Sequence, residues 1–233
     1  MSQPVTFTWA GFREGVRLSV PLLIGTAPFG IVCGIVAQGA GLSYLETFLM
    51  SGLVYAGSAQ LVALATWTHP ASALAAGFAA FVINLRLALM GPVLAPWFDR
   101  LRGWRLWTSL FVMVDQNWAL AVRAMNAGER DAAQLLGTGV PMLLTWVATS
   151  MLGRVLGAGL RPAPDHPIFF AALAVFICML VTLWRGRRDV LPWGVAGAVA
   201  LLTARLLPHT SWYIVAGAIA GSLAGAIRDR VRA

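Results

Sequence analysis

At 233 residues, with 59% hydrophobic and 11% charged side chains, the chain is not an ordinary soluble domain, which carries about 25% charged residues. The net charge of +8 comes from arginine alone, placed mostly in short loops and near the ends. Membrane topology and anionic headgroups account for that pattern, and with neither a basic face nor a reader motif no nucleic-acid partner is expected.

The expected fold class is an all-α polytopic membrane protein forming one transporter domain over residues 1–233. About eight transmembrane helices are expected, seven being the alternative, with some broken by Pro or Gly. The alternating ten-residue segments of a β-barrel are absent. No cleavable signal is read at the N-terminus: a polar, arginine-containing lead-in enters a full-length apolar run without a small-residue cleavage site.

Residues 7–18 place Trp9, Phe12 and Val16 on one helical face, with Arg13, Glu14 and Arg17 on others. This predicts a short interfacial helix. The first span is expected over residues 20–40. Pro28 removes a backbone donor, so a kink or break is expected between Gly25 and Gly30, with Pro28 and Gly30 as candidate substrate-site positions. An ordinary proline-kinked packing helix is the plainer reading. The second span, residues 44–67, carries Ser51, Gly52, Tyr55, Gly57, Ser58 and Gln60 in an otherwise apolar run, and Ser58 and Gln60 are candidate binding groups.

The third span, residues 71–96, holds Asn84-Leu85-Arg86 near its middle. A central arginine costs about 2.5–3.5 kcal/mol on insertion scales. Each large apolar residue returns about 0.3–0.6 kcal/mol, so Arg86 and Asn84 together nearly cancel the segment's own insertion energy. Their side of the helix therefore needs protein, water or a ligand, which makes Arg86 and Asn84 candidate binding residues.

After an arginine-rich loop at residues 98–105, the fourth span, residues 106–125, contains Asp115-Gln116-Asn117. An acid inside a span must be paired, protonated or hydrated. Asp115 is accordingly the candidate proton carrier, or a structural counter-charge to Arg86. The fifth span, residues 132–156, repeats Leu-Leu-Gly-Thr at Leu135–Thr138, a short echo of Leu23-Ile24-Gly25-Thr26. Spans at residues 166–184, 190–207 and 212–227 follow, the last with Gly217, Gly221 and Gly225 at helix-packing spacing. Arg205 lies near enough to a span end to snorkel. Eight simple crossings with both termini in the cytoplasm put the loop at residues 98–105 outside. A re-entrant second or third span would turn that loop inward.

Neither catalytic nor nucleotide motifs are found, so an enzyme is not expected, and any transport is secondary. Cys33 and Cys178 sit in apolar runs and offer neither a disulfide framework nor metal spacing. No metal and no cofactor is expected. The polar set inside the spans suits a zwitterion: Arg86 or a helix N-terminus for a carboxylate, Asp115 or free carbonyls for an ammonium. Other small solutes remain open on composition alone.

Four ordered motifs carry a family resemblance: Pro21-Leu22-Leu23-Ile24-Gly25-Thr26-Ala27-Pro28-Phe29-Gly30, then Met50-Ser51 with Ala56-Gly57-Ser58-Ala59-Gln60, then Asn84-Leu85-Arg86, and Asp115-Gln116-Asn117-Trp118-Ala119-Leu120. In this order and spacing, over about residues 10–160, they resemble the AzlC family, the large subunit of branched-chain amino acid exporters. The resemblance implies a bacterial plasma-membrane permease exporting valine, leucine or isoleucine, partnered by a small AzlD-like membrane subunit. Proton coupling is expected with it. Two positions depart from the family pattern. Leu87 follows Asn-Leu-Arg where a polar residue is frequent, and Gln116 stands where a second carboxylate is usual, leaving Asp115 alone for a proton. The competing readings are an exporter of another small amino acid or weak organic acid, and a non-transporting membrane scaffold whose Gly217–Gly225 face binds a partner.

Overall fold

The computed structural model describes residues 4–65, 67, 77, 80, 81, 84, 85, 87, 88, 90–160, 177, 181, 184, 186–207 and 212–232. Arg86, Cys178 and most of the third and sixth expected spans lie outside the described residues. Every named element among them is helical: α1 Trp9–Gly39, α2 Tyr44–Leu49 running into a π-turn at Met50–Val54, α3 Gly57–Ala65, a 3-10 turn at Gly91–Leu94, α4 Ala95–Phe98, α5 Trp104–Phe111, α6 Asp115–Asn126, α7 Ala133–Leu160, α8 Val190–Leu206 and α9 Trp212–Arg232. Among the described residues, α1 and α7 are long and apolar enough to cross a membrane, and α2 with its π-turn, α8 and α9 are shorter apolar helices. The count of eight is not reached by this measure.

The frame is the pair α1 and α7, packed through glycines. A Cβ on Gly15 or Gly137 would strike backbone of the other helix, and the same holds for Gly34 against Ser150 and for Gly153 against Ile31. Contacts advance along both helices together, from Phe12–Gly137 through Gly30–Thr149 to Ile35–Gly157, so the two are parallel. Their N-termini are tied. Thr6 bridges Arg130 and Ala132 through backbone hydrogen bonds of 2.9 and 3.0 Å. Asp131 caps α7 by accepting from Ala133 N at 3.1 Å, and also accepts from the Thr8 amide at 3.1 Å and the Thr8 hydroxyl. A carboxylate shared by two helix N-termini complements both dipoles. At the other end Arg154 Nε donates to the Leu42 carbonyl at 2.8 Å, and its guanidinium lies over the Tyr44 ring.

Residues 7–18 do not form a helix separate from the first span, because α1 is unbroken from Trp9 to Gly39 with Pro21 and Pro28 inside it. Nor does a break form at Gly25–Gly30. Each proline removes only one hydrogen bond, and glycine-seamed contact with α7 on both sides of Pro28 holds the helix together.

The fourth expected span is not one crossing. Trp104 stacks edge-on to Phe7 at 5.7 Å, the Arg105 guanidinium lies 5.4 Å from the centre of the Phe7 ring, and Trp97 Nε1 donates to the Glu129 carbonyl at 3.3 Å. The loop at residues 98–105 therefore sits at the same end as Phe7 and Asp131, not the opposite one. From that end α5 runs inward until Val112 packs on Gly139, about 9 Å along α7 from Ala133. The chain then turns and α6 returns to Glu129. This is a helical hairpin. With Leu42 at one end of the α1–α7 pair and Trp97 at the other, the intervening chain makes one net passage where two successive crossings were expected. Cysteines placed at residues 102 and 130, in a variant lacking Cys33 and Cys178, should label from the same face of intact membrane vesicles. Labelling from opposite faces would restore the eight-crossing arrangement.

Candidate functional site

The second expected span is where the helix breaks. Its start is fixed by a capping box, Ser43 and Glu46 exchanging hydrogen bonds of 2.7 and 3.2 Å. The π-turn at Met50–Val54 then ends on Tyr55, which is buried and holds the left-handed conformation at φ 43°. A tyrosine there costs about 1–2 kcal/mol and persists because the surroundings fix it. Ser51 and Gln60, placed symmetrically about this turn, face one another at 3.5 Å (Gln60 Nε2 to Ser51 Oγ). Nine residues of straight helix would separate them by about 13 Å, so the chain bends sharply back at Tyr55–Ala56.

Gln60 is 1% exposed and its Oε1 accepts from Trp146 Nε1 of α7 at 2.9 Å. The Trp146 indole packs edge-on to Phe29 of α1 at 5.2 Å. Gly57 passes directly over both rings, since a Cβ there would lie 2.6 Å from Trp146 and 2.8 Å from Phe29. Trp146 lies about 20 Å along α7, near its middle. Ser58 is half-buried in the first turn of α3. Replacing Gln60 by leucine leaves the Trp146 N–H buried without its acceptor, an expected loss of about 1–3 kcal/mol. Thermal unfolding in detergent reads it, and an unshifted midpoint would deny the bond any structural weight.

The second hairpin brings its tip to the same place. Asn117 is fully buried and holds the turn open: its Oδ1 accepts from Val114 N at 2.8 Å, and its Nδ2 donates to the Val112 carbonyl at 2.8 Å. Asp115 thereby begins α6 at its positive end, half-buried. Val114, beside it, packs on the cluster that holds Phe29, Tyr55, Met142 and Trp146.

The third expected span joins the two. Ala80 packs on Ala56 and Ala59 of the first hairpin, and the Met90 carbonyl accepts from Trp118 Nε1 of the second at 2.9 Å. Asn84 stands one helical turn from Ala80, and among the described residues its Oδ1 is buried with no hydrogen-bond partner. A buried acceptor without a partner costs free energy comparable to a lost hydrogen bond. Asn84, Gln60, Ser58 and Asp115 are thus carried by the two hairpins and by the described residues between them. Arg86 falls outside the described residues. Gly30 lies in the α1–α7 seam against Thr149 and Trp146, and Phe29, between Pro28 and Gly30, reaches the Trp146 ring. Gly217 and Gly221 lie instead against Ala196 of α8, and Gly225 against Pro192, away from this convergence.

Sequence reading did not single out Trp146 or Phe29 as site residues, and it took Asn117 only as part of the polar Asp115-Gln116-Asn117 run, not as the residue that holds the turn. An indole mid-span near two glycines reads as ordinary packing until Gln60 is seen to accept from it.

The AzlC family model ("AzlC protein") matches residues 21–160, the stretch containing both hairpins, α7 and α1 from Pro21 onward. The chain belongs to the AzlC family. An "uncharacterized membrane protein" of Archaeoglobus fulgidus is 29% identical over 216 residues, covering 92% of this chain and 94% of that protein. "Inner membrane protein YgaZ" of Escherichia coli is 26% identical, covering 94% and 91%. "Branched-chain amino acid transport protein AzlC" of Bacillus subtilis is 25% identical, covering 76% and 69%. No solved structure matches the chain. The relatives carry names of membrane and transport proteins, not of enzymes. The part matched by the AzlC family model ends with α7, so the hairpin site belongs to the family portion and α8 with α9 lies beyond it.

Proposed function

We propose that this AzlC-family chain is the large, substrate-carrying subunit of a two-component exporter of branched-chain amino acids, driven by protons and partnered by a small AzlD-like subunit. The observation that carries the transport reading is the convergence of two interrupted helices, at Tyr55 and at Val112–Val114, on one buried polar set. Backbone interrupted at membrane depth is tolerated where it is buried in protein or lines a cavity, and transporters place substrates there. The name of the Bacillus subtilis relative supports the choice of solute.

In this reading Asn84, Gln60, Ser58 and Arg86 hold the zwitterion, with the α1 backbone around Pro28 and Gly30 as the facing wall. Asp115 carries the proton or meets the ammonium. Phe29, Trp146 and Tyr55 offer the apolar surface an aliphatic side chain needs. The first hairpin enters from the Leu42 end and the second from the Asp131 end. Placing the Asp131 end in the cytoplasm puts Arg13, Arg17, Arg100, Arg102, Arg105, Arg123 and Arg130 inside, and Arg154 outside, in keeping with the positive-inside bias.

Efflux of labelled leucine from proteoliposomes under an imposed pH gradient tests the reading. Competition by valine and isoleucine, and none by weak organic acids, is the expected result. Competition by acids or by small polar amino acids instead would move the substrate class. Absence of any flux when the chain is co-reconstituted with its small partner would favour a non-transporting scaffold.

A further inference from the structure

Apart from the hairpin site, the described residues hold a cleft lined by both charged and apolar side chains. A cavity of about 490 Å³ opens at the start of α8, lined by Arg187, Arg188 and Arg228 together with the apolar Val190, Leu191 and Val195. Arg187 and Arg188 are exposed, and Arg228 is half-buried where α9 returns beside them. The return is fixed by close antiparallel packing, Gly221 against Pro192 and Ala196, and Gly217 against Ala196 and Ala200. In sequence, residues 185–189 and 228–232 carry six arginines against Asp189 and Asp229, an excess of positive charge even with both carboxylates ionised.

Depth is marked independently. Trp184 and Trp193 stack edge-on with ring centres 5.0 Å apart. Indoles of membrane proteins gather at headgroup level, where an apolar ring and an N–H are both accommodated. Beside a tryptophan pair at that level, three guanidinium groups match phosphate oxygens. The valine and leucine wall below them matches an acyl chain running toward the membrane interior.

We propose that this cleft is a binding site for one anionic phospholipid, its phosphate held by Arg187, Arg188 and Arg228 and an acyl chain lying along Val190, Leu191 and Val195. General attraction of basic loops to an anionic leaflet would need no cavity and no adjoining apolar wall. The site is separate from the hairpin convergence and does not depend on which solute is carried.

The test is native mass spectrometry of the full-length protein after detergent extraction, with phosphatidylglycerol and phosphatidylcholine offered in equal amounts. One retained phosphatidylglycerol per chain is expected, falling at least ten-fold in Arg187→Gln/Arg188→Gln/Arg228→Gln. Arg205→Gln, at the far end of the same helix, should retain it. Val195→Trp fills the apolar wall with every arginine in place and should also release the lipid. Millimolar inorganic phosphate should not displace it. Equal retention of phosphatidylcholine, undiminished binding in the triple variant, retention in Val195→Trp, or displacement by free phosphate would each overturn the proposal. Arg187→Gln alone, at an exposed position, reports even if the triple variant fails to fold.

Discussion

Gly34→Ala should unfold the protein, whereas Gly25→Ala, nine residues earlier on the same helix, should not. The added methyl at Gly34 lands on the Ser150 carbonyl of α7 and within 2.7 Å of the Arg154 amide, both main-chain atoms that cannot swing aside as a side chain can. Over-filling a packed interior costs about 1–3 kcal/mol, and more where the obstacle is backbone. At Gly25 nothing lies within 4 Å of the new methyl, and a mid-helix glycine replaced by alanine gains about 0.5–1 kcal/mol. Thermal unfolding of the two purified variants, with membrane protein levels as a second reading, decides it. A Gly34→Ala variant as stable as Gly25→Ala would mean that α1 and α7 do not pack through this seam. The consequence reaches function, because Trp146 and Phe29 meet only while the seam is closed.

Asp115→Asn should reduce pH-driven efflux at least ten-fold while leaving insertion and folding intact. Asparagine has the same shape and keeps a polar group in the first turn of α6, so the hairpin tip survives the change. What is lost is the carboxylate to which the proposed function assigns the proton. The neighbouring Asn117 offers the contrast. Asn117→Leu removes the bonds to Val114 and Val112 that hold the turn, and should cost about 1–3 kcal/mol, seen as lower protein levels and a lower melting midpoint. Efflux by Asp115→Asn that still follows the pH gradient at full rate would end the coupling assignment.

Which polar side chains need a structural reason was legible in the residues. Asn84, Ser58, Gln60 and Asp115 stood out because a polar side chain inside an apolar run carries an energetic cost that needs a reason, whatever the fold. The glycine spacing Gly217, Gly221 and Gly225 announced a close helix contact in the same way, and the structure gives it α8 as neighbour. The break, however, was sought at Pro28, and it lies at Tyr55 and at Val112–Val114, where no proline stands. A proline removes one hydrogen bond, which packing on α7 absorbs. Tyr55 adopts its left-handed backbone because the cluster of Phe29, Met142 and Trp146 encloses it, and nothing in Val54-Tyr55-Ala56 states that enclosure.

The reversal of the second hairpin was hidden for a related reason. Residues 106–125 have the length and apolar character of a crossing, and hydropathy responds alike to a helix that traverses and to two that enter and return. Only the contacts of Trp104 with Phe7 and of Trp97 with Glu129 place both ends of that segment on one side. The sequence by itself determined that this is a helical membrane protein, which side chains are costly to bury, and the family pattern that groups them. The tertiary structure decided that α1 and α7 run parallel, that the loop at residues 98–105 joins the end holding Phe7 and Asp131, and that Gln60, Trp146 and the Asp115 turn converge. Burial costs are properties of single residues and can be read one at a time. Direction and convergence arise from contacts between residues far apart in the chain, 123 positions for Thr8 and Asp131 and 86 for Gln60 and Trp146, and so exist only once the chain is folded.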